Sequence, residues 1–161
     1  MKRMLVVLLA AVALAGCVSV SKTGYPAAAA SKEMRIAFDI TEGATTPLIV
    51  KLESVETTRK QLIEAGYTPR IVLAFRGNAS YYTQTDMALV KEADRADALK
   101  IQGIIRQLKQ ASGVEDIEQC NLPLAPRKIQ SRNLMQEVKL VPNAWISLAE
   151  HQREGYAYIA P

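Results

Sequence analysis

Histidine occurs once in this 161-residue chain and cysteine only twice. A single imidazole with no cysteine, aspartate or second histidine at ligand spacing does not make a metal site, so neither a metal nor another cofactor is expected. No Gly-x-Gly-x-x-Gly follows the first apolar strand and no serine sits in a Gly-x-Ser-x-Gly elbow, which removes the dinucleotide-binding and serine-hydrolase patterns. Aromatic residues make up 6% of the chain and there is no long run of Lys or Arg, so the formal charge of +4 carries no nucleic-acid signature. Long apolar runs are missing too. The apolar stretch 4–14 is shorter than the roughly 20 residues needed to span a bilayer.

What that stretch does carry is an export pattern. Met1-Lys2-Arg3 is a positively charged start, residues 4–14 are apolar, and Leu14-Ala15-Gly16-Cys17 ends in cysteine after small residues. This resembles the lipobox of bacterial lipoproteins, which implies cleavage before Cys17 and lipidation of its sulfur. The expected organisation is a signal peptide over 1–16, lipidated Cys17 with a linker over 17–31, and one domain over 32–161. Loss of Lys2 and Arg3, with no acidic residue leaving, lowers the formal charge from +4 to +2. Val18 stands where such lipoproteins carry an aspartate for inner-membrane retention, which implies an outer-membrane anchor facing the periplasm. Ser, Thr, Gly, Pro and four consecutive alanines in 18–31 show no amphipathic period and read as a tether.

From residue 32 the chain alternates strand and helix. Residues 34–40 read as a strand, and Thr46 with Pro47 reads as an N-cap followed by proline at the first helical position. Leu48, Leu52, Val55 and Leu62 share one helical face, which Gly66 closes. The nearly continuous apolar run 70–75 is what a strand covered on both faces requires, so the sheet is expected to be parallel with helices on both sides. A polar loop, Arg76 to Tyr82, follows at the carboxyl end of that strand, where open α/β sheets place ligands. Asp94 or Asp97 caps a second helix with Ile101, Ile104, Ile105 and Leu108 as its stripe and Gly113 at its end. Residues 114–119 are assigned as a third strand despite Glu115, Asp116 and Glu118. Pro123 and Pro126 are expected to start a short helix reaching residue 135. A fourth strand over 138–141, a helix capped by Asn143 and stopped by Gly155, and a fifth strand over 156–159 complete the chain. The fold class is α/β, a three-layer flavodoxin-like arrangement with a five-stranded, mainly parallel sheet.

With Cys17 consumed by lipid, Cys120 is an unpaired thiol, in the stretch Glu118-Gln119-Cys120-Asn121-Leu122-Pro123. At a strand end before a helix its sulfur can meet N-terminal N–H groups, whose partial positive charge favours a thiolate. Free cysteines are as often small buried apolar residues, and the residues leave both readings open. Arg76, Arg127 and Lys128 are the cations within reach of the thiol; each also reads as part of a solvated basic surface. His151, beside Glu150, Gln152 and Arg153, reads as exposed. Tyr81 and Tyr82 can line a pocket, although loop aromatics more often pack on the domain or on a partner, and Asp39 and Glu42, at the end of the first strand, lie where a ligand could be met or equally form a capped turn.

The ending Val141-Pro142-Asn143-Ala144-Trp145, then Leu148-Ala149-Glu150-His151-Gln152 and Gly155-Tyr156-Ala157-Tyr158-Ile159-Ala160-Pro161, resembles that of the DsrE/DsrF-like family. The Phe75-Arg76-Gly77 loop resembles the family's small-residue loop after its second strand, and Cys120-Asn121 its cysteine turn after the third. The resemblance implies a flavodoxin-like (DsrE-like) fold associated with sulfur relay. It also implies that Cys120 accepts sulfane sulfur as a persulfide and passes it to a protein partner, and that the chain forms a homo-oligomer. Alternatively, the domain is a non-catalytic module that binds a protein partner or small ligand at the 76–82 loop through Arg76, Gly77 and Asn78, with Cys120 structural.

Overall fold

The computed structural model describes residues 32–161, so the expected signal peptide, the expected lipidation site Cys17 and the expected tether lie outside the described residues. Strands β1 (Glu33–Ile40), β2 (Thr68–Phe75), β3 (Val114–Cys120), β4 (Lys139–Val141) and β5 (Ala157–Ile159) alternate with helices α1 (Thr45–Glu64), α2 (Arg95–Gln110) and α3 (Ala144–Arg153). They form one five-stranded, all-parallel sheet in the order β4-β3-β2-β1-β5. Helices lie on both sides, an α/β flavodoxin-like arrangement.

Side-chain alternation along the strands sends two different sets of residues to the two faces. Ile36, Phe38 and Ile40 of β1, Ile71, Leu73 and Phe75 of β2, and Ile117 of β3 join Leu48, Leu52, Val55, Ile101, Ile105 and Leu108 in the larger core, under α1 and α2. Ala37, Val72, Ala74 and Cys120 face the other way and pack with Val141, Ala144, Leu148 and Tyr156 under α3. Small side chains on that second face let a ten-residue helix sit close to the sheet. The first three crossovers step outward from β1, whereas the last, through α3, returns across the sheet to place β5 beside β1. That return brings the amino end of α3 over the carboxyl end of β3.

Four local expectations change. Helix α1 starts at Thr45 rather than after Thr46; Ala44 occupies the N-cap with no side-chain bond, and its N–H donates to Glu42 Oε1 at 2.9 Å. Pro47 sits within the first turn, where its missing N–H has no helical partner to lose. Asp94 holds the N-cap position of α2 but makes no capping bond, while the carboxylate of Asp97 accepts from Thr45 Oγ1 at 2.8 Å. The helix expected over 123–135 does not form. Two single 3₁₀ turns, Ala125–Arg127 and Ser131–Asn133, replace it. Pro123 and Pro126 remove donors from consecutive turns, and Lys128, at φ 58°, reverses the chain. Finally β3 runs one residue further than expected, through Cys120, with Glu118 buried inside it. Gly113 precedes it at φ +86°, where a Cβ would stand 2.6 Å from Pro69 O, so the turn into β3 needs glycine twice over.

On the lower part of the α3 face Tyr156 is buried, its hydroxyl donates to Glu115, and Arg35 lies over its ring with the guanidinium carbon 5.9 Å from the centroid. Burial and then the Glu115 carboxylate push its phenol up to about 12. A folded value above the unfolded value of about 10 means that the neutral phenol contributes stability in full below pH 10. That contribution is lost as pH rises from about 10 to 12. Urea midpoints measured across this window are expected to fall steeply. Tyr156→Phe reduces the slope without abolishing it, because Tyr82 and Tyr158 are also raised.

Candidate functional site

Cys120 closes β3 and is 3% exposed, with its sulfur turned toward α3. The N–H of Ala144, the first residue of α3, donates to Sγ at 3.3 Å. A helix N-terminus does meet the thiol, as one reading of the sequence expected, but it belongs to the helix after β4 and not to the segment after Pro123. Asn143 fixes that terminus, since its Oδ1 accepts from Trp145 N at 3.0 Å and caps the helix.

Cys120, Arg76, Gly77, Leu122, Arg127 and Trp145, with Pro123 and Pro126, line a cavity of about 260 Å³ at the carboxyl end of the sheet. Leu122 and Trp145 are 55% and 62% exposed and form an apolar rim. Arg76 donates through Nε to Asp39 Oδ1 at 2.7 Å and through a terminal nitrogen to Oδ2 at 2.6 Å. Tyr158, from the edge strand β5, donates to the same Oδ2 at 2.7 Å. The Arg76 guanidinium carbon also stands 5.5 Å from the centroid of Trp145. Arg127 reaches the cavity from the turn that replaced the expected helix. It donates twice to Asn78 Oδ1, at 3.2 and 2.8 Å, and once to Pro123 O at 3.3 Å. Lys128, expected beside it, is exposed and does not line the cavity.

The predicted site residues Arg76, Gly77, Arg127 and Cys120 therefore converge, and Asn78 braces one of them. Gly77 takes φ +59° as the chain leaves β2 and enters the turn Gly77–Tyr82. The turn also borders a second cavity. Asn78, Tyr81 and Tyr82 line a second cavity of about 390 Å³ with Gly43, Val90 and Asp94, and Tyr82 donates to Gly43 O at 2.8 Å. Burial, then the charges of Asp94, Asp97 and Glu42, raises the Tyr82 phenol.

Two features escaped the sequence. The aspartate at the end of β1 is neither a turn cap nor open to a ligand: Asp39 is 3% exposed and serves as the counter-ion of Arg76. The sheet creates the pairing, since β1–β2 register sets Asp39 beside Ala74, two residues before Arg76. The second is a triad beneath α3. Glu118, 2% exposed, accepts from the Ser147 hydroxyl and meets His151 Nε2 at 3.2 Å. His151 is thus half-buried and paired, against the exposed position expected, because Ser147 and His151 are four residues apart and share the sheet-facing side of α3. Its Nδ1 is buried without a partner among the described residues. No group of three or more metal-ligating side chains occurs among the described residues, and none of their helices is long and apolar enough to cross a membrane.

No protein-family profile matches the sequence. An uncharacterized protein of Aquifex aeolicus (strain VF5) is 27% identical over 126 residues, covering 78% of this chain and 55% of that protein. The chain thus spans about half the length of that relative. A solved structure, a protein of unknown function from Methanobacterium thermoautotrophicum, superposes with a TM-score of 0.59 at 20% identity. The match covers 80% of this chain and 99% of that one, and the two share a fold.

Proposed function

We propose that the protein is a periplasm-facing lipoprotein that carries sulfur on Cys120, anchored through Cys17 to the outer membrane. The observation that supports this reading is the Ala144 N–H 3.3 Å from Cys120 Sγ, in the wall of a cavity that the Arg127 guanidinium also reaches. The thiolate is the nucleophile in sulfur exchange, and the N–H at the start of α3 and the Arg127 guanidinium can offset the negative charge of the persulfide that results. The thiol gives its proton to solvent, and the thiolate attacks the outer sulfur of a donor persulfide. A new S–S bond forms at Sγ, the donor's S–S bond breaks and the donor leaves as a thiolate. Sulfane sulfur changes hands with no net oxidation. Onward transfer to a partner thiol repeats the same exchange, and the apolar rim of Leu122 and Trp145 suits a protein partner or a second copy of the chain.

The test uses the full chain carrying Cys17→Ser, purified in detergent and exposed to polysulfide. Intact mass is expected to rise by whole sulfur atoms, reversibly with a thiol reductant, and not at all when Cys120→Ser is added. No mass gain in the Cys120 protein, with alkylation only after denaturation, overturns the reading. Labelled palmitate incorporated into the wild-type chain and lost in Cys17→Ser checks the anchor.

One observation favours a second reading, a non-catalytic binding module. The larger cavity lies against Asn78, Tyr81 and Tyr82, apart from the thiol, and a small ligand seated there would leave Cys120 as a core residue.

A further inference from the structure

The two arginines at the Cys120 cavity are not equivalent. Arg76 is bound through two N–H groups to the buried Asp39 carboxylate, so its charge is balanced within the protein. Arg127 makes all its hydrogen bonds to neutral oxygens, Asn78 Oδ1 and Pro123 O, and no carboxylate pairs with it among the described residues. A guanidinium has five N–H groups, of which three are used here, leaving two without a protein acceptor among the described residues and a full charge on a residue that lines the cavity. The geometry also holds it still. Asn78 Oδ1 takes two of its N–H groups, and the turn that carries it is reversed at Lys128.

We infer that Arg127 is the anion-recognising residue of this cavity and selects small anionic sulfur donors, inorganic polysulfide being the simplest, for reaction at Cys120. The inference rests on the carrier reading and names its substrate class. A thiolate and an anionic donor repel each other at bonding distance, and a cation without an internal counter-ion offsets that repulsion. Leu122, Pro123, Pro126 and Trp145 make up the apolar remainder of the lining and bring no competing charge to the anion. Arg76 cannot do the same, because Asp39 cancels it. A volume of about 260 Å³ lies just below the range usual for drug-sized ligands and fits a donor of a few heavy atoms. In the step itself the Cys120 thiolate attacks a sulfane sulfur of the polysulfide. One S–S bond forms at Sγ, one breaks in the donor, and the shortened polysulfide leaves with the electron pair. The terminal sulfur left on Cys120 is itself anionic, and Arg127 stands where that charge appears.

The experiment compares second-order alkylation of Cys120 by iodoacetate and iodoacetamide, reagents of similar size that differ in charge, in the full chain carrying Cys17→Ser. Arg127→Gln is expected to lower the iodoacetate-to-iodoacetamide rate ratio about tenfold at low salt. Added salt should lower the ratio in the parent and leave the variant unchanged. Arg127→Lys, which keeps the charge, should retain most of the ratio and guards against a misfolded glutamine variant. An unchanged ratio in a folded Arg127→Gln protein overturns the inference, as does a native protein that neither reagent can alkylate. The two readings separate cleanly. A chain that gains sulfur from polysulfide with a ratio indifferent to Arg127 keeps the carrier and loses the anion site. A chain whose ratio depends on Arg127 but which gains no sulfur keeps the anion site and loses the carrier.

Discussion

Arg76→Gln is expected to lower the unfolding free energy by about 3 kcal/mol, the scale measured when one partner of a buried ion pair is removed. Asp39 is 3% exposed and its carboxylate has three donors, two from Arg76 and one from Tyr158. Without Arg76 the carboxylate stays in the sheet with a single phenol for company. Glutamine is too short to rebuild the two-pronged contact, and it also gives up the stacking on Trp145, worth about 0.5–1 kcal/mol at an exposed ring. A double variant, Arg76→Gln with Asp39→Asn, should recover part of the loss by removing the buried charge. Urea denaturation of the single and double variants yields the coupling between the two positions. A loss below about 1 kcal/mol for Arg76→Gln would mean that Asp39 finds solvent or another donor. The result also bears on function. Arg76 is one of the cations the sequence places within reach of Cys120, but its charge is committed to Asp39, so its removal is expected to weaken the fold before it alters the thiol.

The sequence made the first two strands and the first two helices legible because their burial is local. The run from Ile71 to Phe75 is apolar throughout, as burial on both faces demands, and Ile101, Ile105 and Leu108 repeat at helical spacing under it. β3 was harder because Glu118 is tolerated only through Ser147 and His151, about thirty residues later in the chain, and no window of sequence contains all three. The same remoteness hid which helix serves Cys120. Adjacency pointed to the segment after Pro123. The crossover that carries α3 back across the sheet put Ala144 there instead, and that is a property of the topology. The missing helix over 123–135 came from reading each proline as a start signal; two of them three residues apart deny the next turn its donors. Arg127 still arrives at the cavity, but by a turn held at Lys128 and a clamp from Asn78, neither of which has a periodic signature. The polar neighbours of His151 in sequence point it to solvent, whereas its neighbours along the helix decide which way it faces.

Glu118→Ala is expected to cost about 3 kcal/mol and, in the same stroke, to expose Cys120. Glu118 lies two residues before Cys120 on the same face of β3, so both side chains point at α3, one under its second half and one under its first residue. Removing the carboxylate leaves the Ser147 hydroxyl without its acceptor and His151 with neither ring nitrogen bonded among the described residues, beneath a helix only ten residues long. It also leaves a void where a buried side chain stood. Apart from the edge contacts of the helix, little remains to hold α3 down besides Ala144 and Leu148, so its local opening becomes easier than global unfolding. Cys120 is only 3% exposed with α3 in place, and its alkylation in the native protein depends on such opening or on access through the cavity. Glu118→Ala should therefore speed iodoacetamide alkylation about tenfold or more and strip hydrogen-exchange protection from α3 while sparing α1 and α2. Glu118→Gln, which keeps an acceptor for Ser147, should cost about 1 kcal/mol and change alkylation little. If the alanine variant loses stability but the thiol reacts no faster, α3 is not the cover of Cys120, and the route to the sulfur runs through the Arg127 cavity alone.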